Sequence, residues 1–148
     1  MRKKALFSGT FDPFTIGHFD LVKRALCFTD VIIAIGINVE KKTMFSLEER
    51  INNIKTIYDG DNRVIVTSYN SLTVDFAKES GVDFILRGIR NISDFEYEKN
   101  MADINLKLSG IETFFLFSIP DYSYISSSLV RELIYHNKDI SNLIPYTK

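Results

Sequence analysis

Short apolar runs alternate along the chain with longer segments whose apolar residues recur every three or four positions. Recurrence at that period is typical of amphipathic helices, whereas β-branched runs without polar alternation are typical of strands buried on both faces. Five such runs occupy residues 5–7, 31–37, 64–66, 84–86 and 113–117. The pattern therefore predicts five strands of a parallel sheet.

Helical patterns separate these runs, and several carry recognisable ends. Ser46 and Glu49 form a capping box, and Gly81 suits a left-handed C-cap. Helices are predicted at residues 18–28, 46–58, 74–80 and 95–108, with a last helix capped by Ser127 or Ser128. Strands that alternate with helices through right-handed crossovers predict an α/β fold. We expect a single doubly wound domain over residues 1–148, a five-stranded parallel sheet with helices on both faces.

Composition excludes several classes of protein. The 148 residues are 45% hydrophobic and 25% charged, and 18 Lys and Arg balance 19 Asp and Glu. No global field therefore indicates a nucleic-acid or membrane partner. The single Cys27 cannot form an internal disulfide and is predicted to be a buried apolar residue. No signal peptide or membrane-spanning run is recognisable, which predicts a cytoplasmic protein.

The candidate functional residues come directly after the predicted strands, because folds of this class bind ligands beyond the carboxyl ends of their strands. Three of the connecting segments carry His18, Lys41 or Arg87, and a fourth brings serine hydroxyls to a helix start. Because the carboxyl ends of parallel strands lie at one edge of the sheet, these groups should meet there. A cluster of this kind predicts a site for a polyanion such as a phosphorylated ligand.

The segment at 9–18 lacks both the GxGxxG and the Gly-rich Lys-Ser/Thr phosphate fingerprints. His18 lies in the first turn of the predicted helix, where the dipole disfavours an imidazolium and leaves a neutral hydrogen-bond donor. No Ser-His-Asp or Cys-His set is evident. Transfer between two anions needs no protein nucleophile if both are held in line and the charge of the transition state is neutralised.

Two motifs carry a family resemblance. Gly9-Thr10-Phe11-Asp12-Pro13 with Thr15-Ile16-Gly17-His18 resembles the (H/T)xGH signature of the nucleotidyltransferase superfamily, and 125–131 resembles its ISSSxxR signature. The segments 41–46, 87–90 and 94–98 resemble bacterial phosphopantetheine adenylyltransferases. The resemblance implies a Rossmann-like fold and reversible transfer of an adenylyl group from ATP to 4'-phosphopantetheine, which gives dephospho-coenzyme A and pyrophosphate.

The resemblance also implies roles for particular residues. The implied catalytic residues are His18, Thr10, Lys41 and Arg90. Phosphopantetheine is expected to bind to Thr10, Lys41, Arg87 and the backbone of Thr73. The residues expected to bind ATP are Thr10, Phe11, His18, Gly88, Ile89, Arg90, Glu98, Tyr122, Ser123, Tyr124, Ile125, Ser126, Ser127 and Ser128. Mg²⁺ is the implied cofactor, without assigned protein ligands, and a homohexamer is the implied assembly.

Other interpretations stay open at this point. The same chemistry could act on another phosphate acceptor, such as glycerol phosphate, ribitol phosphate or nicotinate mononucleotide. The chain could instead be a nucleotide-binding regulator without catalysis, although such a protein has little use for a transition-state group. Arg87 could be a surface arginine, Glu98 part of a solvated helix face, and the three serines only a helix cap.

Overall fold

The predicted alternation of strands and helices is present throughout the structure, a computed structural model that describes residues 1–146. Its elements in chain order are β1 (Lys3–Gly9), α1 (Ile16–Ala25), β2 (Thr29–Gly36), α2 (Leu47–Ile57), β3 (Val64–Tyr69), α3 (Thr73–Glu79), β4 (Phe84–Ile89), α4 (Ile92–Ser109), β5 (Glu112–Phe117) and α5 (Ser127–Tyr135). The predicted α/β fold class is therefore confirmed.

The strands form one parallel sheet in the order β3-β2-β1-β4-β5. The strand order reverses at β1, which lies between β2 and β4. The strands β1 and β4 pair only at Ala5 with Phe84 and Leu6 with Ile85, so their carboxyl ends separate. A crevice opens at this point of reversal, the position where doubly wound sheets bind ligands.

Alternate residues of the central strands feed two cores on opposite faces of the sheet. Ala5 and Phe7 point toward α1 and α2, where they pack with Val22 and Ile54. Leu6 points to the opposite face and joins the core beneath α3. A third cluster, formed by Ile125, Val130, Ile140 and Ile144, packs α5 and the segment after it against the start of α1.

The prediction that all five strands are buried on both faces holds for β1, β2 and β4 only. The strands β3 and β5 lie at the sheet edges and are partly exposed, as Ile65 and Phe117 illustrate with 51% and 69% of their surface in solvent. An edge strand has one neighbour, and apolarity alone does not distinguish it from a central strand.

The first helix begins and ends earlier than the predicted range of 18–28. Thr15 is its N-cap and Leu26 its C-cap. Cys27 therefore lies in the turn before β2 and is exposed, so the prediction that it is buried is wrong. The apolar neighbours of Cys27 suggested a buried face, but the helix carrying that face has already ended.

Two further helix starts differ from the sequence pattern. Asn91 caps α4 by accepting from the Asp94 N–H, which begins the helix three residues before the predicted position. Ser126 caps α5, so the prediction of Ser127 or Ser128 as the cap is wrong. The Ser46 capping box and the left-handed Gly81 are confirmed. Among residues 1–146, no helix combines the length and apolarity that crossing a membrane requires.

Candidate active site

A cavity of about 330 Å³ lies in the crevice between the carboxyl ends of β1 and β4. Four segments reach it: the loop after β1, the segment after β2, the end of β4 with the start of α4, and the segment before α5. Its polar lining includes Thr10, His18, Lys41, Arg87, Arg90, Glu98, Ser126, Ser127 and Ser128. The predicted convergence of basic, histidine and serine side chains at one sheet edge is thus present.

His18 is held by a reciprocal cap at the start of α1. The Thr15 hydroxyl oxygen accepts from the His18 backbone N–H at 3.3 Å, and the Thr15 backbone N–H donates to His18 Nδ1 at 2.9 Å. This is a capping box in which a histidine takes the place usually held by Glu or Gln. The TxGH spacing therefore orients the imidazole as well as starting the helix.

The capping box also selects the tautomer of His18. Because Nδ1 accepts a backbone N–H, the proton of the neutral ring must lie on Nε2. Burial, and to a lesser extent the positive charges of Arg87 and Arg90, lower the pKa of His18 to about 3. His18 is therefore a neutral ring at physiological pH that offers an Nε2–H donor to a ligand in the cavity.

The Phe11 side chain packs against the His18 ring. Its backbone is left-handed with φ of +50°, an uncommon conformation for a bulky residue, and its side chain is only 4% exposed. The Phe11 ring meets His18 edge-on with centroids 5.1 Å apart and lies beside Gly9, where a Cβ atom would come within 3.0 Å of it. Phe11 lines the cavity floor as part of the core.

Thr10 and Lys41 come together from different strands. Lys41 Nζ donates to Thr10 Oγ1 at 3.3 Å, although the two residues are 31 positions apart in sequence. Both groups border the cavity, and both are partly or fully accessible. A hydroxyl and an ammonium group at this separation can bind adjacent oxygens of one phosphate group.

Arg87 is already paired in this structure. Its Nε and Nη2 donate to the two carboxylate oxygens of Glu98 at 2.9 and 2.6 Å, and its Nη1 donates to the Ser8 carbonyl. Burial opposes the charge of Arg87, but the hydrogen bonds and charge of Glu98 outweigh it, so the pKa of Arg87 is raised. Arg87 is thus a fixed, fully charged group in the gap between β1 and β4.

Arg90, which precedes α4, forms a similar pair with Asp94, a residue of α4 one turn before Glu98. Its backbone N–H and Nε both donate to Asp94, at 3.0 and 2.9 Å. Asp94 and Glu98 are four residues apart and so lie on one face of the helix. Asp94 and Glu98, both in the segment 94–98, therefore hold Arg90 and Arg87 of the segment 87–90 in place.

The N-cap and the first turn of α5 contribute hydroxyls with different tasks. Ser126 caps the helix, Ser127 donates to the Pro13 carbonyl at 2.7 Å, and Ser128 accepts from Arg131 at 3.1 Å. Tyr122 and Ile125 also border the cavity. Of the residues assigned to ATP by resemblance, Ile89, Ser123 and Tyr124 lie outside the cavity lining; Ile89 is buried and Tyr124 is 66% exposed.

A second cavity of about 540 Å³ adjoins the first on the side of the sheet covered by α3 and α4. The two share Ser8, Gly9, Thr10, Lys41, Arg87 and Glu98. Thr73 borders the second cavity, where its hydroxyl bonds that of Tyr69 at 2.8 Å. Much of the remaining lining is apolar, including Leu72, Met101 and Leu108. The geometry therefore offers two subsites with polar groups at their boundary.

Three residues with close contacts to the site were not among the predicted site residues. Arg131 donates to the Asp12 carbonyl at 2.8 Å and borders the first cavity, and Asp94 pairs with Arg90. The signal for both was present, since each lies within a motif that carried the resemblance. Arg50 donates to the Thr10 carbonyl at 2.9 Å, and no sequence pattern distinguishes it from a surface residue of α2.

Solved structures support the fold. A bifunctional NMN adenylyltransferase/ADP ribose pyrophosphatase from Francisella tularensis superposes with a TM-score of 0.71 at 16% identity, and covers 100% of this chain and 46% of its own. A Vibrio parahaemolyticus structure provisionally assigned as a nicotinate-nucleotide adenylyltransferase gives 0.67 at 19% identity over 97% and 94% of the two chains. At these identities the likeness concerns architecture alone.

Sequence comparisons define the family. The model of the Cytidylyltransferase-like family matches residues 6–133, so the chain is a member of the nucleotidyltransferase superfamily. Phosphopantetheine adenylyltransferases of Bacteroides thetaiotaomicron and Bacteroides fragilis are 54% and 53% identical over 144 residues, which is 97% of this chain and 95% and 96% of theirs. That of Flavobacterium psychrophilum is 51% identical over the same length. The chain belongs to the phosphopantetheine adenylyltransferase family.

Proposed function

We propose that this chain transfers the adenylyl group of ATP to 4'-phosphopantetheine. An oxygen of the acceptor phosphate forms a bond to the α-phosphorus of ATP, and the bond between that phosphorus and the bridging oxygen of pyrophosphate breaks. Pyrophosphate leaves, and dephospho-coenzyme A is the other product. Because the attacking phosphate is already ionised, no proton has to be removed from it.

The observation that carries the proposal is the junction of the two cavities. A bisubstrate transfer needs two anions in contact at their reacting groups and separated elsewhere. Thr10, Lys41 and Arg87 lie at the boundary shared by both cavities, so they suit the acceptor phosphate. The largely apolar second cavity suits an uncharged chain attached to that phosphate.

The first cavity suits the nucleotide. We assign the triphosphate to Arg90 and to the start of α5, where Ser127 and Ser128 border the cavity beside free backbone N–H groups of the first helical turn. Tyr122 is the residue we assign to the base. It lies at the other end of the same segment and offers a flat apolar ring.

His18 supplies the group that acts on the transition state. Its Nε2–H can donate to a non-bridging oxygen of the α-phosphate, where negative charge accumulates during transfer. The depressed pKa favours this role, because the ring stays neutral, with its proton on Nε2, at all physiological pH values. The capping box provides preorganisation, since the ring does not need to reorient.

Magnesium enters this proposal as part of the substrate. Among residues 1–146, no group of three or more His, Cys, Asp and Glu side chains is arranged to hold a metal ion. The three carboxylates that border the first cavity are each engaged: Asp12 by backbone N–H groups, Asp94 by Arg90, and Glu98 by Arg87. We therefore expect Mg²⁺ to arrive coordinated by ATP phosphates and water.

We further propose that the chain assembles into a homohexamer and acts in the cytoplasm, where ATP is available. The 18-residue helix α4 has no buried residue, although Phe95 and Leu106 project from one side of it. With Phe117 on the neighbouring strand they form an apolar face that suits a second copy of the chain. Light scattering should give about six times the 17.0 kDa chain mass, and Leu106→Glu should lower it, while the larger charge change at the neighbouring position, Lys107→Glu, should not.

Pyrophosphate release from ATP tests the activity. Each acceptor is supplied separately: 4'-phosphopantetheine, nicotinate mononucleotide, glycerol phosphate and ribitol phosphate. Of the four acceptors, only 4'-phosphopantetheine is expected to cause release of pyrophosphate from ATP. Release with a different acceptor would assign the same chemistry to another substrate. ATP binding without release for any acceptor would favour a nucleotide-binding regulator.

A further inference from the structure

Hydrogen bonds connect the loop after β1, which carries Thr10, to the segment after β2, which carries Lys41. Asp12, in the loop after β1, is 3% exposed and accepts from the backbone N–H groups of Met44 and Phe45, each at 2.9 Å. In the opposite direction, Nη1 of Arg50 donates to the Thr10 carbonyl at 2.9 Å. We call these three hydrogen bonds the loop brace.

Arg50 is an unusual residue for the interior of a helix face. It is 7% exposed and forms no ion pair within residues 1–146. Its guanidinium instead donates to three backbone carbonyls, those of Thr10, Phe45 and Ser46, at 2.9, 3.2 and 3.4 Å. Burying a charge without a counter-charge is costly, and an apolar side chain would fill such a position at lower cost.

What the guanidinium adds is a fixed geometry. Its rigid fork joins the loop that carries Thr10 to the segment that follows Lys41, and Asp12 joins the same two segments from the other side. Thr10 Oγ1 and Lys41 Nζ, the two groups thus connected, are 3.3 Å apart at the boundary of the two cavities. Arg50 borders neither cavity, so it has no direct contact with a ligand there.

We infer that Arg50, together with Asp12, is a positioning residue that sets the spacing of Thr10 and Lys41 for the attacking phosphate. The inference rests on the proposed function, in which those two groups hold the acceptor phosphate. A reactant displaced by about 1 Å can lose on the order of 100-fold in rate. Replacement of Arg50 should therefore reduce turnover much more than it reduces the binding of ATP.

Arg50→Lys is the informative variant, because lysine keeps the positive charge but cannot reproduce the planar fork. Its kcat should fall by roughly 10- to 100-fold, with the calorimetric affinity for ATP changed by less than about 3-fold. Ser46→Ala is the matched control, since it removes the cap of α2 within the same segment and leaves the Ser46 carbonyl in place. The control should lower the melting temperature and leave kcat near that of the unmodified protein.

A double-mutant cycle separates positioning from simple destabilisation. If Arg50 acts through Thr10, Arg50→Lys in a Thr10→Ala background should cost less than about 3-fold further in kcat. The same factor lost in both backgrounds, or an unchanged kcat for Arg50→Lys alone, overturns the inference. If Arg50→Lys does not fold, Asp12→Asn enters the same cycle, because an asparagine oxygen can replace only one of the two carboxylate acceptors.

Amide hydrogen exchange tests the brace without any substrate. Exchange of the Met44 and Phe45 N–H groups should be about 10-fold or more faster in Asp12→Asn and in Arg50→Lys than in Ser46→Ala. If exchange is unchanged in Asp12→Asn and Arg50→Lys, the brace does not hold these segments. If exchange is faster in both variants as expected, but the unmodified protein releases no pyrophosphate, the proposed function alone is contradicted.

Discussion

Arg87 and Glu98 form a two-point ion pair in which Nε meets Oε2 at 2.9 Å and Nη2 meets Oε1 at 2.6 Å. The pair lies at the boundary of both cavities, where the acceptor phosphate is proposed to bind. A phosphate dianion arriving there shares Arg87 with the Glu98 carboxylate. The same carboxylate thus holds the arginine in position and limits how strongly it attracts phosphate.

Glu98→Gln tests this double role. The amide still fills the space and accepts one hydrogen bond, but the loss of charge should lower the free energy of unfolding by about 1–3 kcal/mol. The affinity for 4'-phosphopantetheine should rise, because the acceptor no longer competes with a carboxylate. Urea denaturation and calorimetry measure the two effects. Weaker acceptor binding in a folded variant would mean that Glu98 positions Arg87 without competing for it.

His18→Ala should lower kcat by on the order of 100-fold and leave ATP affinity nearly unchanged, since the lost donor acts on charge that appears in the transition state. His18→Gln is the matched variant, because its amide N–H can replace part of the donation from Nε2. Steady-state kinetics and calorimetry measure the two quantities. If kcat of His18→Ala equals that of the unmodified protein, His18 has no catalytic role.

The depressed pKa of His18 predicts a pH dependence of stability. The folded protein holds the ring neutral down to a pKa of about 3, whereas the unfolded chain protonates it near 6.5. Between these values the unfolded state binds more protons, so stability is lost as pH falls, by about 1.4 kcal/mol per pH unit at most. Urea denaturation of the wild type and of His18→Gln across pH 4–7 gives the contribution of His18 as their difference. Equal slopes of unfolding free energy against pH in the two proteins would contradict a partly buried ring that stays neutral.

Lys41→Ala and Arg90→Ala should separate the two subsites. Lys41 borders both cavities and Arg90 only the first, so we expect Lys41→Ala to weaken 4'-phosphopantetheine and Arg90→Ala to weaken ATP. Loss of one charge-assisted hydrogen bond corresponds to roughly 10- to 150-fold in affinity. Each variant is titrated calorimetrically with each ligand. If both variants weakened both ligands equally, the assignment of separate subsites would be wrong.

The fold class and the location of the site could be predicted from local patterns. Five apolar runs separated by amphipathic segments specify a parallel sheet, and the residues after each strand must then meet at one edge. The same rule predicts that His18, Lys41 and Arg87 lie together, and all three border the first cavity. It succeeds because strand and helix periodicities are properties of short stretches of sequence.

Helix ends were less predictable because they depend on single hydrogen bonds. Cys27 is exposed because α1 ends at Ala25, and three consecutive serines left the cap of α5 ambiguous. The ambiguity is resolved when the Ser127 hydroxyl bonds the Pro13 carbonyl, 114 residues away in sequence, and leaves Ser126 as the cap. Because this hydrogen bond joins residues far apart in sequence, the residues around the cap contain no pattern that predicts it.

By itself the sequence determined the class of fold, the groups available for catalysis and the edge of the sheet where they gather. Only the tertiary structure decided which nitrogen of His18 carries the proton, which carboxylates engage Arg87 and Arg90, and that Arg50 holds the Thr10 carbonyl. The reason is physical. Patterns of apolar residues act over a few positions, whereas hydrogen bonds between side chains and distant backbone groups exist only after the chain has folded.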